Sequence, residues 1–291
     1  RRRRRSVARR ASGARAVHER LGQPRVGRVA AVGVARPQLR VLFLADVFGV
    51  AGRRAVEERL PALRQELDAD VCIVNGENAA DGAGITAKLA DRLLAAGADV
   101  ITLGNHTYRR DGIGAYLERS ERVIRPANMG AWTPGRGIAY AGGVAVVNLM
   151  GSLFIDVPVS PWEVVDALVD EARANAAVVV VDFHAEATSE KVAMATWLDG
   201  RVTAVIGTHT HVQTNDARIL PGGTAAITDA GMTGPHDSVI GVKAELAIRR
   251  MRTRLPVRFE PAEGGVRVEG VVIDSDDAGR AHGIELLRLA V

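Results

Sequence analysis

The sequence predicts an α/β fold in which two sheets of largely parallel strands form a single domain flanked by helices. Short apolar segments that end in polar residues alternate along the chain with amphipathic segments of helical period. This alternation is typical of βαβ units. Apolar residues make up 47% of the 291 residues, and aromatic residues make up 4%. A large core is therefore expected, and it must consist mainly of valine, alanine, leucine and isoleucine.

The first 38 residues are predicted to be a disordered, low-complexity basic tail, and residues 39–291 the folded domain. Residues 1–40 contain thirteen arginines and one glutamate, a charge of +12, and because the whole chain carries +4, the remainder carries −8. Three interpretations of the tail stay open: a basic arm for nucleic acid or an anionic membrane, a transit peptide, or translated DNA upstream of a true start near Leu39. The acidic domain itself is not expected to bind a nucleic-acid polymer.

The first half of the domain predicts three strands that alternate with helices. The predicted strand RVLFLA is a short apolar run that leads into Asp46, and the predicted strands DVCIVNGEN and DVITLGNH end in polar residues. The helix AGRRAVEERLPALRQEL follows the first strand, and the helix AKLADRLLAAG follows the second, with Thr86 as N-cap and Gly97 as stop signal. A third helix is predicted around Asp111 to Ser120.

The second half continues the alternation and closes with a hairpin. Ser160, Pro161 and Glu163 form the start signal of a helix, a capping box with proline at the first position. A closing hairpin is predicted within residues 257–289, with its turn at Gly264 and Gly265. The other predicted elements are two strands in GIAYAGGVAVVNLMG, a strand in AAVVVVDFHAEA, a helix in SEKVAMATWLDG, and strands in VTAVIGTHTH and TAAITDAG.

The single cysteine and the absence of long apolar runs limit the environment of the protein. Cys72 lies in the apolar run VCIV and has no second cysteine to pair with. We therefore expect a buried small side chain rather than a nucleophile, and a reducing, cytoplasmic location. The sequence contains no uninterrupted run of about 18 apolar residues, so no membrane span is predicted.

Polar side chains able to bind metals follow five of the predicted strands. In open α/β sheets the carboxyl ends of the strands line the functional crevice, so we expect these side chains to converge. His209 and His211 stand two apart, and in an extended chain such residues point to the same side. Alone, this pair is equally compatible with a polar loop that holds two unrelated histidines. The whole set comprises Asp46, Asn75, Glu77, Asn78, Asn105, His106, His184, Glu186, His209 and His211.

The donor types indicate a particular class of metal site. Oxygen and nitrogen donors without thiolate suit manganese, iron or zinc rather than a structural zinc–thiolate site. The donors are more numerous than one tetrahedral ion needs, so two adjacent divalent ions that share a carboxylate fit better. Such a pair activates water and neutralises an anionic substrate, which favours phosphate esters.

Seven ordered motifs resemble those of the calcineurin-like metallophosphoesterases, and among them the bacterial YmdB-like phosphodiesterases. In chain order they are DVFGVAGRRAV, NGENAADGAGIT, LGNHTY, RPANM, DFHAEATSEK, GTHTHVQTND and TDAGMTGP. In the superfamily a glycine usually precedes the first aspartate and a histidine follows it by two residues, where this chain has Ala45 and Phe48. The missing histidine is itself a mark of the YmdB-like branch, in which the asparagine after the glutamate supplies a ligand instead. Tyr108 stands where the branch often has tryptophan.

The resemblance implies a two-sheet metallophosphoesterase sandwich with a dinuclear metal centre of iron or manganese, with zinc as an alternative. His106 would be the catalytic imidazole that protonates the leaving oxygen after attack by a metal-bound hydroxide. Glu77 would bridge the two ions or lie between them. The other implied ligands are Asp46, Asn78 and His211 for one ion, and Asn105, His184 and His209 for the second.

The activity that the resemblance implies is hydrolysis of small phosphodiesters, with 2′,3′-cyclic or 3′,5′-cyclic nucleoside monophosphates as the expected substrates. Two alternatives stay open: a phosphomonoesterase or 5′-nucleotidase, and a regulatory metal- and nucleotide-binding protein with slow turnover. Glu186 and Asp229 would orient ligand histidines or serve as caps or loop residues, whereas Thr208 and Thr210 would support the turn. A homo-oligomer is compatible with the sequence, and no substrate-binding residues are predicted.

Overall fold

The computed structural model of the protein describes residues 39–291, and the predictions for residues 1–38 lie outside the described residues. The helices are α1 (Gly49–Glu66), α2 (Ala87–Ala95), α3 (Ile113–Arg119), α4 (Pro161–Asn175), α5 (Thr188–Trp197) and α6 (Ala244–Thr253), with a short 3-10 helix at Ala127–Met129. The strands are β1 (Leu39–Leu44), β2 (Val71–Asn75), β3 (Val100–Thr102), β4 (Ile138–Ala141), β5 (Val144–Met150), β6 (Val178–His184), β7 (Ala204–Thr208), β8 (Arg218–Ile219), β9 (Ala225–Ile227), β10 (Gly234–Pro235), β11 (Val266–Ser275) and β12 (Ala281–Ala290).

The strands form two six-stranded sheets. The first sheet has the order β10-β11-β1-β2-β3, with β12 also paired to β11, and the second has the order β4-β5-β6-β7-β9-β8. The central pairs are parallel: β1 with β2 and β2 with β3 in the first sheet, and β5 with β6, β6 with β7 and β7 with β9 in the second. The predicted two-sheet α/β class with largely parallel core strands is confirmed.

Three hydrophobic clusters separate the layers of this sandwich. Along β1, Val41 and Phe43 point into the cluster between the two sheets, whereas Leu42 and Leu44 point into the cluster under α1, α2 and α3. A third cluster lies between the second sheet and the helices α4 and α5. Because both faces of the central strands are covered, these strands are apolar throughout rather than alternating. The order of the layers is helix, sheet, sheet, helix.

The predicted local signals are found where the sequence placed them. The Thr86 hydroxyl accepts a hydrogen bond from the Leu89 amide at the start of α2. Ser160 and Glu163 form the capping box of α4, with Pro161 as its first residue. Cys72 is fully buried in the cluster under α1 and α2, and burial raises the pKa of its thiol to about 12. Among the described helices, none is both long and apolar enough to cross a bilayer.

The predicted turn of the closing hairpin is wrong. Gly264 and Gly265 precede β11 instead of joining two strands, and the turn between β11 and β12 lies at residues 276–280, where the Arg280 amide donates to Asp276 Oδ1. Residues before Gly264 pair elsewhere, because the Lys243 amide donates to the carbonyl of Glu260. Nine residue pairs join β11 to β12, and this pairing outweighed a turn signal that two glycines alone supplied. Helix α6 and the short strands β8 and β10 were not predicted.

Candidate metal centre

All eight predicted site residues lie at one edge of the sandwich. Asp46 and Glu77 follow β1 and β2, His106 follows β3, His184 ends β6, and His209 follows β7. Parallel strands of both sheets deliver their carboxyl ends to this edge. A continuous series of contacts no longer than 3.8 Å links all eight side chains or their backbone amides, in the order His211, Asp46, His209, His184, then Asn105 and Glu77, then His106 and Asn78.

Four of these residues form a compact group, here called the His184 cluster: Glu77, Asn105, His184 and His209. His184 Nε2 lies at its middle, 3.0 Å from Asn105 Oδ1, 3.0 Å from His209 Nδ1 and 3.2 Å from Glu77 Oε1. The donor atoms of Glu77, His184 and His209 all lie within 4.8 Å of one another. Three or four nitrogen and oxygen donors at this spacing have the composition of a transition-metal site.

The remaining ligand candidates form a looser group, here called the Asp46 cluster: Asp46, Asn78 and His211. His211 Nε2 lies 3.8 Å from Asp46 Oδ1, too far for a hydrogen bond. Asp46 Oδ1 and Asn78 Oδ1 are buried and have no hydrogen-bond partner among the described residues. A buried oxygen without a partner is costly, so these two atoms fit ligands of a cation.

The ionisation of the site reflects a concentration of buried charge. Burial raises the pKa of Asp46 to about 6 and, together with His184, lowers that of His209 to about 3. Burial alone would raise the pKa of Glu77 and lower that of His184. Their mutual attraction overrides this, because it holds the pKa of Glu77 well below its usual value and raises that of His184 to about 9. The Glu77 carboxylate and the His184 imidazolium therefore stabilise each other, whereas a positive charge on His209 is disfavoured.

His106 lies at the boundary between the metal-ligand candidates and the cavity. Its Nδ1 is 3.3 Å from Glu77 Oε1 and 3.3 Å from Asn78 Nδ2. The side chain is 26% exposed, whereas that of Glu77 is 1% exposed. An imidazole so placed is within reach of both a bound substrate and the buried carboxylate.

The chain at His209 and His211 is not extended, and the expectation that their side chains point to the same side for that reason is wrong. His209 and His211 have φ values of 98° and 62°, so the chain there is left-handed rather than extended. Such a conformation costs a non-glycine residue about 1–3 kcal/mol. The loop is held by the His209 amide, which donates to Asp46 Oδ2, and by the contact of His211 Nδ1 with the carbonyl of Ile240 at 3.0 Å. The two imidazoles accordingly reach different clusters.

Two acidic residues that belong to neither cluster contact this histidine loop. Glu186 Oε2 lies 3.0 Å from His209 Nε2, which leaves Nδ1 of the same ring for the His184 cluster. Asp229 Oδ2 accepts hydrogen bonds from the amide and hydroxyl of Thr210 and pairs with the buried Lys191 ammonium at 2.9 Å. Of the roles considered for Glu186 and Asp229, these contacts favour orientation of the ligand histidines and their loop.

Gly104 permits the close approach of the two sheets at the site. A Cβ at this position would overlap Glu77 Oε2 and the imidazole of His184. Any side chain here would push apart the two most central residues of the His184 cluster. Glycine at the end of β3 is thus required by packing.

A cavity of about 490 Å³ opens beside the two clusters. Its walls include Phe48, Ile240 and Phe259, which the sequence did not identify as site residues. The Phe48 ring lies edge-on to the His211 ring, with centroids 5.5 Å apart. Ile240 and Phe259 are contributed by the segments on either side of α6, a part of the chain whose sequence carries no recognisable motif.

The chain is similar to a known protein family and to a bacterial enzyme. The family model of YmdB-like proteins matches residues 42–287. The 2′,3′-cyclic-nucleotide 2′-phosphodiesterase of Bacillus subtilis strain 168 is 49% identical over 243 residues, which cover 82% of this chain and 92% of that enzyme.

Two solved structures share the fold over most of their length. A hypothetical protein from Thermus thermophilus superimposes with a TM-score of 0.81 at 42% identity, covering 87% of this chain and 99% of that one. A Mycoplasma pneumoniae protein described as a novel phosphatase gives a TM-score of 0.80 at 35% identity, covering 87% and 93% of the two chains. The resemblance inferred from the motifs is confirmed, and the chain belongs to the YmdB-like family.

Proposed function

We propose that this protein is a metal-dependent phosphodiesterase that hydrolyses small cyclic nucleotides at the carboxyl edge of its two sheets. The observation that carries the proposal is the convergence of buried oxygen and nitrogen donors, two of them without hydrogen-bond partners among the described residues, beside an open cavity. Buried carboxylate and amide oxygens in this state are suited to binding cations. Two divalent ions, iron or manganese before zinc, match the two clusters.

The substrate class is supported by the relatives and by the cavity. The Bacillus subtilis relative is named as a 2′,3′-cyclic-nucleotide phosphodiesterase. The cavity of about 490 Å³ lies within the range of small-ligand sites and has apolar as well as polar walls. The exposed ring of Phe259 offers a surface for a base, and the clusters offer positive charge for a phosphate once ions are bound. We therefore place 2′,3′-cyclic nucleotides first and 3′,5′-cyclic nucleotides second.

The residues of the chain have separate tasks in this proposal. Bound divalent ions would supply Lewis acidity, which activates water and neutralises charge on the phosphoryl oxygens. Glu77 contacts both His184 and His106 and would be the carboxylate that the two ions share. His106 Nδ1 is engaged by Glu77 and Asn78, which leaves its Nε2 to protonate the departing oxygen. The apolar walls of the cavity restrict water around the substrate.

A phosphomonoesterase is the second candidate, because the Mycoplasma pneumoniae neighbour is described as a phosphatase. The two activities share the metal chemistry and differ in whether the pocket accepts a second ester group. We expect this protein to hydrolyse bis-p-nitrophenyl phosphate faster than p-nitrophenyl phosphate. A clear preference for the monoester would contradict the proposal and favour the phosphatase.

The decisive experiment combines metal analysis with a substrate panel. The protein is purified without added metal, its metal content is measured by mass spectrometry, and turnover is measured on 2′,3′-cyclic and 3′,5′-cyclic nucleotides. We expect bound transition metal, loss of turnover after chelation and recovery on adding Mn²⁺ or Fe²⁺. Full activity in metal-free protein would refute a metal-dependent reaction. The predicted cytoplasmic location is compatible with this use of iron or manganese and can be tested by cell fractionation.

A further inference from the structure

We propose that Asp182 and Thr208 are positioning residues that hold the His184 ring with its proton on Nδ1 and thereby present the lone pair of Nε2 to a metal ion. Neither residue belongs to the predicted ligand set. The inference rests on the proposed metal-dependent function and adds to it the residues that prepare one ligand for binding.

Asp182 lies on β6, fully buried between the two sheets. Its Oδ2 accepts hydrogen bonds from the Thr102 hydroxyl and from Asn75 Nδ2, the latter at 2.9 Å, and both of these residues belong to the first sheet. Its Oδ1 accepts from the Thr208 hydroxyl at 2.7 Å, which belongs to the second sheet. Burial raises the pKa of Asp182, and the three donors around its carboxyl group oppose that rise because they favour the ionised, acceptor-only form.

The direction of the next hydrogen bond follows from the single hydrogen of a hydroxyl group. Thr208 Oγ1 lies 2.7 Å from Asp182 Oδ1 and 2.9 Å from His184 Nδ1. A hydroxyl that donates its hydrogen to a carboxylate can only accept from its other neighbour. His184 Nδ1 must therefore carry a proton and donate it to Thr208.

The opposite ring nitrogen faces the metal-ligand candidates. His184 Nε2 lies 3.0 Å from Asn105 Oδ1 and 3.0 Å from His209 Nδ1. Attraction to Glu77 favours a second proton on this ring while the site holds no ion, but an imidazole that binds a metal ion is neutral. One of its nitrogens then carries the proton and the other donates its lone pair to the ion. A proton fixed on Nδ1 leaves Nε2 as the ligand atom, directed at the centre of the His184 cluster.

The reverse arrangement would block the site. If Thr208 donated to His184 Nδ1, the ring proton would reside on Nε2, and Asp182 would have to be protonated to keep its contact with Thr208. That arrangement places a proton, instead of a lone pair, where the donors converge. The hydrogen bonds from Asn75 and Thr102 favour the carboxylate and thus select the first arrangement.

The test compares two substitutions of Thr208 with a control at the residue that precedes the same strand. Thr208→Val preserves shape and removes the hydroxyl, whereas Thr208→Ser preserves the hydroxyl. Thr203, immediately before β7, is the matched control, because it is fully buried, accepts from the Val179 amide at 3.0 Å and donates to the carbonyl of Gly279 at 2.7 Å. Thr203→Val removes an equally buried hydroxyl at the end of the strand far from the site.

Two measurements are made on each variant and on the unsubstituted protein: the affinity for Zn²⁺ by chelator competition, and the protonation of His184 by NMR of the ¹⁵N-labelled imidazole. We expect Zn²⁺ on Nε2 and a slowly exchanging proton on Nδ1 in the unsubstituted protein and in Thr208→Ser. Thr208→Val should bind Zn²⁺ more weakly by roughly 10- to 100-fold, as is common when the partner of a ligand histidine is removed. Thr203→Val should lower the melting temperature and leave Zn²⁺ affinity within about threefold.

Unchanged Zn²⁺ affinity in Thr208→Val, or Zn²⁺ on Nδ1 of His184, would overturn the inference. Equal losses of affinity in Thr203→Val and Thr208→Val would also overturn it, since they would reduce Thr208 to a general packing residue. If the unsubstituted protein bound no divalent ion, the proposed function would be wrong. In that case the exchange rate of the His184 Nδ1 proton still tests the hydrogen bond to Thr208. Loss of protection from exchange in Thr208→Val alone would support this hydrogen bond, and unchanged protection in Thr208→Val would refute it.

Discussion

The His184 cluster and the Asp46 cluster contain similar donors but differ in how far the protein alone satisfies them. His184 Nε2 has three polar neighbours within 3.2 Å, and both of its ring nitrogens are engaged. In the Asp46 cluster the corresponding separation between His211 and Asp46 is 3.8 Å, and Asp46 Oδ1 and Asn78 Oδ1 have no hydrogen-bond partner among the described residues.

This contrast shows which half of the site is prepared by the fold. The His184 cluster takes its central residue from the end of a strand that is paired on both sides. The Asp46 cluster depends on His211, which lies in a left-handed loop beyond β7. We therefore expect the first cluster to keep its geometry without metal and the second to need an ion to offset its buried carboxylate.

Substitution of Glu77, the buried carboxylate that contacts both His184 and His106, should have the largest effect. Glu77→Gln keeps the shape of the side chain and removes its charge, so the His184 cluster loses its carboxylate and the site is left with Asp46 as its one buried anionic donor. We expect metal content below one ion per chain and a loss of turnover of about 10⁶-fold or more, toward the uncatalysed rate. Metal analysis and steady-state kinetics provide the measurement. Two ions per chain in Glu77→Gln would show that the clusters do not share this carboxylate.

Substitution of His106 should separate catalysis from metal binding. His106→Ala removes the proposed proton donor and leaves all seven predicted metal ligands in place. We expect kcat to fall about 10²- to 10⁴-fold, the usual contribution of general acid catalysis, with unchanged metal content. Loss of metal together with activity would make His106 a ligand. A biological effect that survives the loss of turnover would instead favour a regulatory binding protein.

Substitutions in the two clusters should change the stability of the metal-free protein in opposite directions. Asp46→Asn removes a buried charge that has an unpartnered oxygen and should raise the free energy of unfolding by about 1–3 kcal/mol. Asn105→Ala removes a partner of His184 and should lower it by about 0.5–1.5 kcal/mol. Urea denaturation of the chelated proteins measures both. A destabilising Asp46→Asn would show that the Asp46 cluster is as well satisfied as its neighbour.

Substitution of Glu186 should have the smallest effect. This carboxylate is 49% exposed and contacts His209 Nε2 from outside the His184 cluster. Glu186→Gln retains an oxygen that can accept from the ring, so we expect metal affinity to weaken by about tenfold at most. Chelator competition measures the change. A larger loss than in Thr208→Val would mean that orientation of His209, and not of His184, limits the first cluster.

The sequence predicted much of the fold because its signals are local. The capping box at Ser160, the N-cap at Thr86 and the fully apolar strands need only a few neighbouring residues to be recognised. The closing hairpin was mispredicted at Gly264 and Gly265, because pairing of β11 with β12 or with an earlier segment is a choice between distant partners. Helix α6 carries no N-cap hydrogen bond from a side chain, and a start signal was correspondingly absent.

The eight candidate site residues were named from the order of their motifs and the ends of predicted strands. Their residue types, and the expectation that strand ends share an edge, were available without coordinates. The left-handed loop at His209 could not be predicted from the sequence, because its backbone is held by Asp46, a residue 163 positions earlier. Phe259 and Ile240 were missed for a related reason, since only the folding of the α6 region over the edge brings them to the cavity.

The order of the residues was sufficient to predict the family, the layered α/β architecture and the chemical types of the donors, because these follow from periodicity and from motifs of adjacent residues. Only the folded arrangement distinguished the donors that are satisfied from those left without partners among the described residues, and it revealed that Asp182 joins the two sheets beneath His184. Hydrogen bonds of this kind depend on distances between residues as far as 107 positions apart in the chain, and those distances are set by the packing of one sheet on the other.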